Sequence, residues 1–258
     1  MELELKDKRV LITGGSRGIG FSCVETFLRE GCRVKLVGSQ TSSVDEAIAR
    51  LRAMHLTDVD GLCVDLSDSN GIEQLASHLD EVDVLVNNAG AIPGGGLANV
   101  DDAQWRAAWD LKVHGYINTI RAAVPSMMKR GHCVVVNVIG IAGVAPRYDY
   151  LCGSAGNAAL TAFTQAAGAH STKRGVRVLG VNPGPTETER LIALSRSRAA
   201  QRFGDPSRWQ DMLSDLPFGR AAKTEEIADL VAFLASARAS YLSGVVIDAD
   251  GGGRYAAH

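Results

Sequence analysis

Short runs of β-branched and other apolar residues alternate along the chain with longer stretches whose apolar positions recur at helical spacing. The runs lie at 9–13, 33–37, 61–65, 82–87, 133–138, 177–181 and 245–248. Their near-continuous apolar character predicts strands buried on both faces, and their alternation with helical stretches predicts a parallel sheet. Helix start signals stand between them. Asp101 is followed three residues later by Gln104, a capping-box pair ahead of Trp105, Trp109, Val113 and Ile117. Crossovers between parallel strands are right-handed, so helices cover both faces and the loops at the carboxyl ends of the strands form a ligand crevice. The expected fold class is α/β, doubly wound, with a mainly parallel seven-stranded sheet. Its 258 residues are expected to form a single domain, 1–258, because folds of this kind reach that length without dividing. No linker, low-complexity tract or internal repeat is evident.

Residues 186–217 depart from this regularity, with many charges, Gly204, Pro206 and Pro217 and weak periodicity. A segment of this length between a strand and the next helix predicts a lid or substrate-binding loop. The composition, 46% hydrophobic and 22% charged with a formal net charge of −2, holds no imbalance that would attract a polyanion. Nucleic acid is therefore not an expected partner. No apolar run approaches the roughly 20 residues that span a bilayer, and the opening Met-Glu-Leu-Glu-Leu-Lys lacks a basic-then-apolar profile, so no membrane association and a cytoplasmic location are expected. Cys23, Cys32, Cys63, Cys133 and Cys152 make an odd, scattered set, three of them (Cys32, Cys63 and Cys133) beside or inside strand-like runs. Buried reduced thiols are expected rather than disulfides. With no His-Glu-x-x-His pair and no Cys-x-x-Cys cluster, no metal site is expected.

The first strand runs directly into Gly14-Gly15-Ser16-Arg17-Gly18-Ile19-Gly20, after which 21–30 continues as a helix. Glycines let the backbone approach a pyrophosphate closely, and the helix start presents unpaired N–H groups and the positive end of its dipole to it. A glycine cluster alone often only turns a chain. Here the strand before it and the helix after it make it a phosphate cradle.

Thr-Gly-x-x-x-Gly-Ile-Gly at 13–20, Asn-Asn-Ala-Gly at 87–90, Pro-Gly at 183–184 and Asp-x-x-Gly-Gly at 248–252 together resemble the short-chain dehydrogenase/reductases, over nearly the whole chain. The resemblance implies a Rossmann-type fold that binds a nicotinamide dinucleotide. It places Gly14, Ser16, Arg17, Gly18, Ile19, Gly20 and Ser39 on the phosphates, Asp65 and Leu66 beside the adenine, and Asn88, Ala89 and Gly90 behind the cofactor. Asn157 would meet a ribose, and Pro183, Gly184, Thr186 and Thr188 would hold the carboxamide end. Two of these neighbourhoods keep structural alternatives: Asp65 as a cap for the helix that follows, and Asn87 as a strand-end turn residue. After the second strand the chain reads Gly38-Ser39-Gln40, with no acid for a ribose 2′-hydroxyl, while Arg17 is in reach of a 2′-phosphate. NADP(H) is therefore favoured over NAD(H).

The family's catalytic groups are a tyrosine, a lysine four residues later, a serine and an asparagine. Aligned by their surroundings, these positions hold Gly153, Asn157, Gly140 and Lys112. Glycine offers no proton, and a positioned general acid or base contributes roughly 10²–10⁴ in rate. Tyr148, Tyr150, Cys152 and Ser154 lie close enough to Gly153 to substitute for it, whereas His114 is expected to be solvated or packed. Lys112 and Asn157 keep the family's lysine and asparagine in exchanged order, so a lysine buried at 112 would have a lowered pKa and serve as proton donor or oxyanion stabiliser. The catalytic candidates are Lys112, Asn157, Tyr150 and Tyr148. The two glycines also enlarge the pocket.

These residues lead to an oxidoreductase that transfers hydride between the nicotinamide and a small organic substrate, such as a conjugated carbonyl compound, with non-standard catalytic groups. The alternatives are a dinucleotide-binding sensor or partner subunit without turnover, and a non-redox enzyme such as a hydratase or hydrolase. Self-association as a tetramer or dimer is also expected, because helix 157–170 is small and apolar nearly all round. The resemblance places it and helix 101–129, with the Trp105–Trp109 pair, at a subunit interface.

Overall fold

The valine-rich runs pair as seven parallel strands in the order β3-β2-β1-β4-β5-β6-β7. The computed structural model describes residues 2–256. The strands are β1 (Arg9–Thr13), β2 (Arg33–Gly38), β3 (Val59–Cys63), β4 (Val84–Asn87), β5 (Cys133–Val138), β6 (Val176–Pro183) and β7 (Val246–Ala249). The helices are α1 (Gly18–Arg29), α2 (Thr41–Ala53), α3 (Ser69–Ala76), α4 (Asp102–Trp109), α5 (Gly115–Arg130), α6 (Leu151–Ser171), α7 (Glu189–Phe203) and α8 (Thr224–Ala235). Alternate residues of each central strand feed opposite cores. Ile12, Val86, Val136 and Val181 pack under α1 and α8, while Leu11, Leu85, Val135 and Val178 pack under α3 and α5. This is the doubly wound arrangement that the hydrophobic pattern predicts, and the strand order reverses between β1 and β4, where such folds bind ligands.

The third strand departs from the expectation. It starts two residues earlier than 61–65 and is not buried on both faces: Asp60, Gly61 and Cys63 are exposed. As the edge strand it has no neighbour on one side, and its few apolar residues cannot cover it. Cys63 is thus an exposed thiol, while Cys23, Cys32, Cys133 and Cys152 are buried and all five are free.

Two local features shape the crevice. The Asp101–Gln104 capping box is formed, Asp101 Oδ1 accepting from the Gln104 amide at 2.8 Å and Gln104 Oε1 accepting from the Asp101 amide at 3.1 Å. Helix α4 then passes into α5 through a π-helical turn, Asp110–His114, whose wider ring shifts the face that Lys112 presents. The 186–217 excursion is α7 followed by 3₁₀ turns at Pro206–Leu213 and Pro217–Gly219, tied at its base by a bridge between Thr186 and Ala222. Among the described residues no helix is long and apolar enough to cross a membrane, and no group of three or more His, Cys, Asp or Glu could hold a metal ion.

Candidate active site

The glycine loop is held from beneath. Thr13 Oγ1, at the end of β1, accepts from the amides of Asn88 at 2.9 Å and Ala89 at 3.1 Å. Asn88 Nδ2 returns bonds to the carbonyls of Thr13 at 3.2 Å and Gly14 at 3.0 Å. Asn88 therefore shapes the loop with its side chain. A Cβ on Gly20 would overlap the Gly14 carbonyl oxygen, so the first turn of α1 can fold back against the loop only without one. Arg17 occupies the N-cap of α1 in extended conformation and makes no side-chain cap, which leaves the N–H groups of that turn for a ligand. These features fit a dinucleotide pyrophosphate.

The flanking residues are placed around the same cradle. Ser16 Oγ lies 3.6 Å from where a Cβ on Gly38 would stand, so the loop and the end of β2 adjoin, with Arg17 and Ser39 exposed there. Asp65 Oδ1 accepts from the Ser67 amide at 2.9 Å and the Ser67 hydroxyl at 2.7 Å, which holds the carboxyl below its usual range. The capping alternative for Asp65 is not realised: Asp65 makes a local turn with Ser67, and the N-cap of α3 is Asp68, whose Oδ1 accepts from the Gly71 amide at 2.8 Å. Asn87 is buried against Asn137, its Nδ2 donating to Asn137 Oδ1 at 3.0 Å, a core contact rather than a turn. Beyond β6, Thr186 Oγ1 donates to the Gly184 carbonyl at 3.0 Å, and Thr188 Cγ2 stands 3.2 Å from a Cβ built on Gly18. The start of α7 therefore closes over the loop.

At the other end of the crevice, Lys112 crosses Gly90, its Cδ 3.0 Å from where a Cβ would sit, and its Nζ donates to the Ile139 carbonyl at 2.6 Å. One turn on, the Tyr116 hydroxyl donates to the adjacent Val138 carbonyl at 2.8 Å. Burial, and then the nearby Arg190 guanidinium, lower the Lys112 pKa to about 8. Next to Ile139, Gly140 has φ +137°, a conformation that favours glycine, and a Cβ there would lie 2.8 Å from Asn157 Nδ2. Asn157 is 2% exposed and its Oδ1 has no hydrogen-bond partner. A buried acceptor left unpaired is costly and here points to a missing donor.

One turn before Asn157 on α6, the ring of Tyr150 covers Gly153 so closely that any Cβ at 153 would collide with it. Burial raises the Tyr150 phenol, with Arg190 acting in the opposite sense and Cys152 in the same. The structure thus gathers Lys112, Asn157 and Tyr150 with Gly140 and Gly153. It does not bring Tyr148 among them: that side chain is 68% exposed, its ring against Gly96 at the rim. Ser154 Oγ is engaged with the backbone of Arg147, the Cys152 thiol is buried and raised by that burial, and His114 is exposed. The Trp105–Trp109 pair, with centroids 6.2 Å apart, turns inward onto Ile92, Val100, Cys152 and Tyr150. Trp109 Nε1 donates to the Cys152 carbonyl at 3.3 Å, so these rings brace the crevice wall.

Sequence reasoning missed Arg190. From the first turn of α7 it reaches the loop after β4, Nη2 donating to the Ile92 carbonyl at 2.6 Å. The available signal was its position, since a cation in the first turn of a helix opposes the macrodipole and needs another reason to be there. A cleft of about 180 Å³ opens at the base of the excursion between Pro217, Phe218, Gly184 and Asp250, and its lining includes none of Lys112, Tyr150 or Asn157.

Comparison with known proteins gives a consistent match. The short chain dehydrogenase family profile matches residues 8–199. A 3alpha-hydroxysteroid dehydrogenase of Mediterraneibacter gnavus is 29% identical over 98% of this chain and 100% of its own. A 3-oxoacyl-(acyl-carrier-protein) reductase of Escherichia coli is 31% identical over 97% and 98%. Among solved structures, L-sorbose reductase from Gluconobacter frateurii, complexed with NADPH and L-sorbose, superimposes with a TM-score of 0.93 at 28% identity over all of both chains.

The state of Lys112 has a thermodynamic consequence. Its folded pKa of about 8 lies below the ordinary 10.5, so the cost of burying its charge is fully present below pH 8 and is relieved as pH rises towards 10.5. Lys112→Met removes that cost at every pH. Urea unfolding of both proteins should show the variant's relative stability falling by about 2–3 kcal/mol between pH 7 and pH 10. A difference that stayed flat with pH would place the ammonium in solvent.

Proposed function

We propose that this chain, which belongs to the short-chain dehydrogenase family, is an NADP(H)-dependent oxidoreductase that works with Tyr150 and Lys112 because the family's usual catalytic positions are substituted. The observation that carries this reading is the Tyr150 ring lying over Gly153, in the space that a side chain at 153 would enter. Bound along the glycine loop, NADP(H) supplies the hydride. The loop amides of 14–20 hold the pyrophosphate, and Arg17 with Ser39 take the 2′-phosphate where no acid competes. Leu66 and Asp65 flank the adenine, Ala89 and Gly90 back the cofactor, and the unpaired Asn157 Oδ1 accepts from a ribose hydroxyl. Pro183, Gly184, Thr186 and Thr188 meet the carboxamide end.

In the reductive direction the substrate's carbonyl carbon gains the hydride, and the Tyr150 hydroxyl gives its proton to the oxygen. Lys112, protonated at neutral pH, stabilises the oxygen as charge develops and returns a proton to Tyr150. The substrate is a small organic carbonyl compound. Helix α7 acts as the lid, with Thr188 over Gly18 and Arg190 on Ile92.

A second copy of the chain covers α6. Ala155, Ala158, Ala159, Ala162, Ala166 and Ala169 are exposed along one side of that helix, a surface that permits close helix approach and is poorly solvated alone. Light scattering at micromolar concentration should return a dimer or tetramer, and a monomer would remove this part of the reading.

Calorimetry should show NADPH binding more tightly than NADH. Tyr150→Phe should keep the NADPH affinity while kcat with carbonyl substrates falls roughly 10²- to 10⁴-fold. Unchanged kcat in this variant, or no NADPH oxidation by the parent protein across a broad carbonyl panel, would favour a dinucleotide-binding protein without this chemistry.

A further inference from the structure

Ten arginines among the described residues reach a carboxylate within 4.0 Å, from Arg9 to Arg254. The other ten do not, and Arg190 is the one of these that meets Lys112 at the crevice. Among the described residues neither has an acidic partner at that distance, and each directs one N–H at a main-chain carbonyl, Ile92 and Ile139 respectively. Arg190 holds the Ile92 carbonyl two residues on from Gly90, which Lys112 crosses, so two cations share this end of the crevice without a counter-charge; the guanidinium disfavours the lysine's charge, and an anion between them would relieve that repulsion. Arg190 adds to this by standing in the first turn of α7, where the helix dipole is also positive.

We propose that Arg190 is the anchor for a carboxylate carried by the substrate, held across the crevice from Lys112, so that the substrate class is the oxo acids and their hydroxy-acid products. That the bound carboxylate belongs to a substrate rests on the oxidoreductase reading above; the anion site itself does not. A guanidinium has five N–H donors in a planar fork that matches a carboxylate, and only one is committed to Ile92 while the residue remains exposed. The other anion available in such a protein is the cofactor's pyrophosphate. Its binding groups are already present in the glycine loop and the uncapped start of α1, whereas the electrostatic neighbours of Arg190 are Lys112 and Tyr150, at the reacting end. The ammonium of Lys112 is then free to face the reacting oxygen while Arg190 holds the far end of the molecule.

The test uses the full chain saturated with NADP⁺ and a matched series of 2-oxo, 3-oxo and 4-oxo acids, with 2-oxoglutarate, each beside its methyl ester. Calorimetry should show at least one acid binding roughly 10- to 100-fold more tightly than its ester, the range of a charge-assisted hydrogen bond. Arg190→Gln should bring acid and ester level while NADPH affinity stays within about twofold. If no acid of the series outbinds its ester, the proposal is overturned. It is equally overturned if Arg190→Gln weakens NADPH and leaves the acid-to-ester ratio intact, because the anion is then the pyrophosphate. NADPH oxidation is followed separately: acid-selective binding without turnover would refute the oxidoreductase reading and leave the anion site standing.

Discussion

The contact on which the crevice depends is the stitch between β1 and β4, where Thr13 Oγ1 accepts from the amides of Asn88 and Ala89 and Asn88 Nδ2 donates to the carbonyls of Thr13 and Gly14. It lies where the strand order reverses, so the helices after β1 and β4 lead away to opposite faces of the sheet. Buried backbone groups must find partners, and here they find them in the side chains of Thr13 and Asn88. With the loop fixed, Gly20 and α1 follow, and the helix start is aimed at one place.

A second chain of contacts builds the reacting end from one strand terminus. Helix α5 and the π turn before it bring Tyr116 and Lys112 onto consecutive carbonyls at the end of β5, Val138 and Ile139. Gly140 then turns the chain against Asn157, and one helical turn earlier Gly153 admits the Tyr150 ring. Each small residue is matched by a larger one crossing it: Gly90 by Lys112, Gly140 by Asn157 and Gly153 by Tyr150. In close-packed protein, volume removed at one position is filled from another. On the proposed reading, the same rule moves the functional groups from 153 and 157 to 150 and 112.

Much of this was legible from residue order. The runs around Ile12, Val86 and Val136 announced central strands because buried parallel strands need apolar residues on both faces, and the Asp101–Gln104 cap was readable because its chemistry is local. The glycine loop was legible for the same reason. What escaped depends on partners distant in sequence. The exposure of Cys63 follows from β3 being the outermost strand, which its own sequence does not reveal. That Tyr150 enters the crevice while Tyr148, two residues earlier, stands at its rim is decided by which glycine each ring meets, Gly153 or Gly96. Arg190 escaped because its contact, Ile92, lies 98 residues away on another loop.

The central claim is that Tyr150 and Lys112 act as one unit on the substrate oxygen, and a double-mutant cycle tests it most directly. On the best carbonyl substrate found by NADPH oxidation, kcat/KM is measured for the parent protein, Tyr150→Phe, Lys112→Met and the double variant. Groups that share a proton transfer are strongly non-additive, so the double variant should lose little more than the worse single one. Losses that multiplied, each variant acting as though the other residue were untouched, would mean that the two side chains serve separate ends of the crevice and would contradict the account.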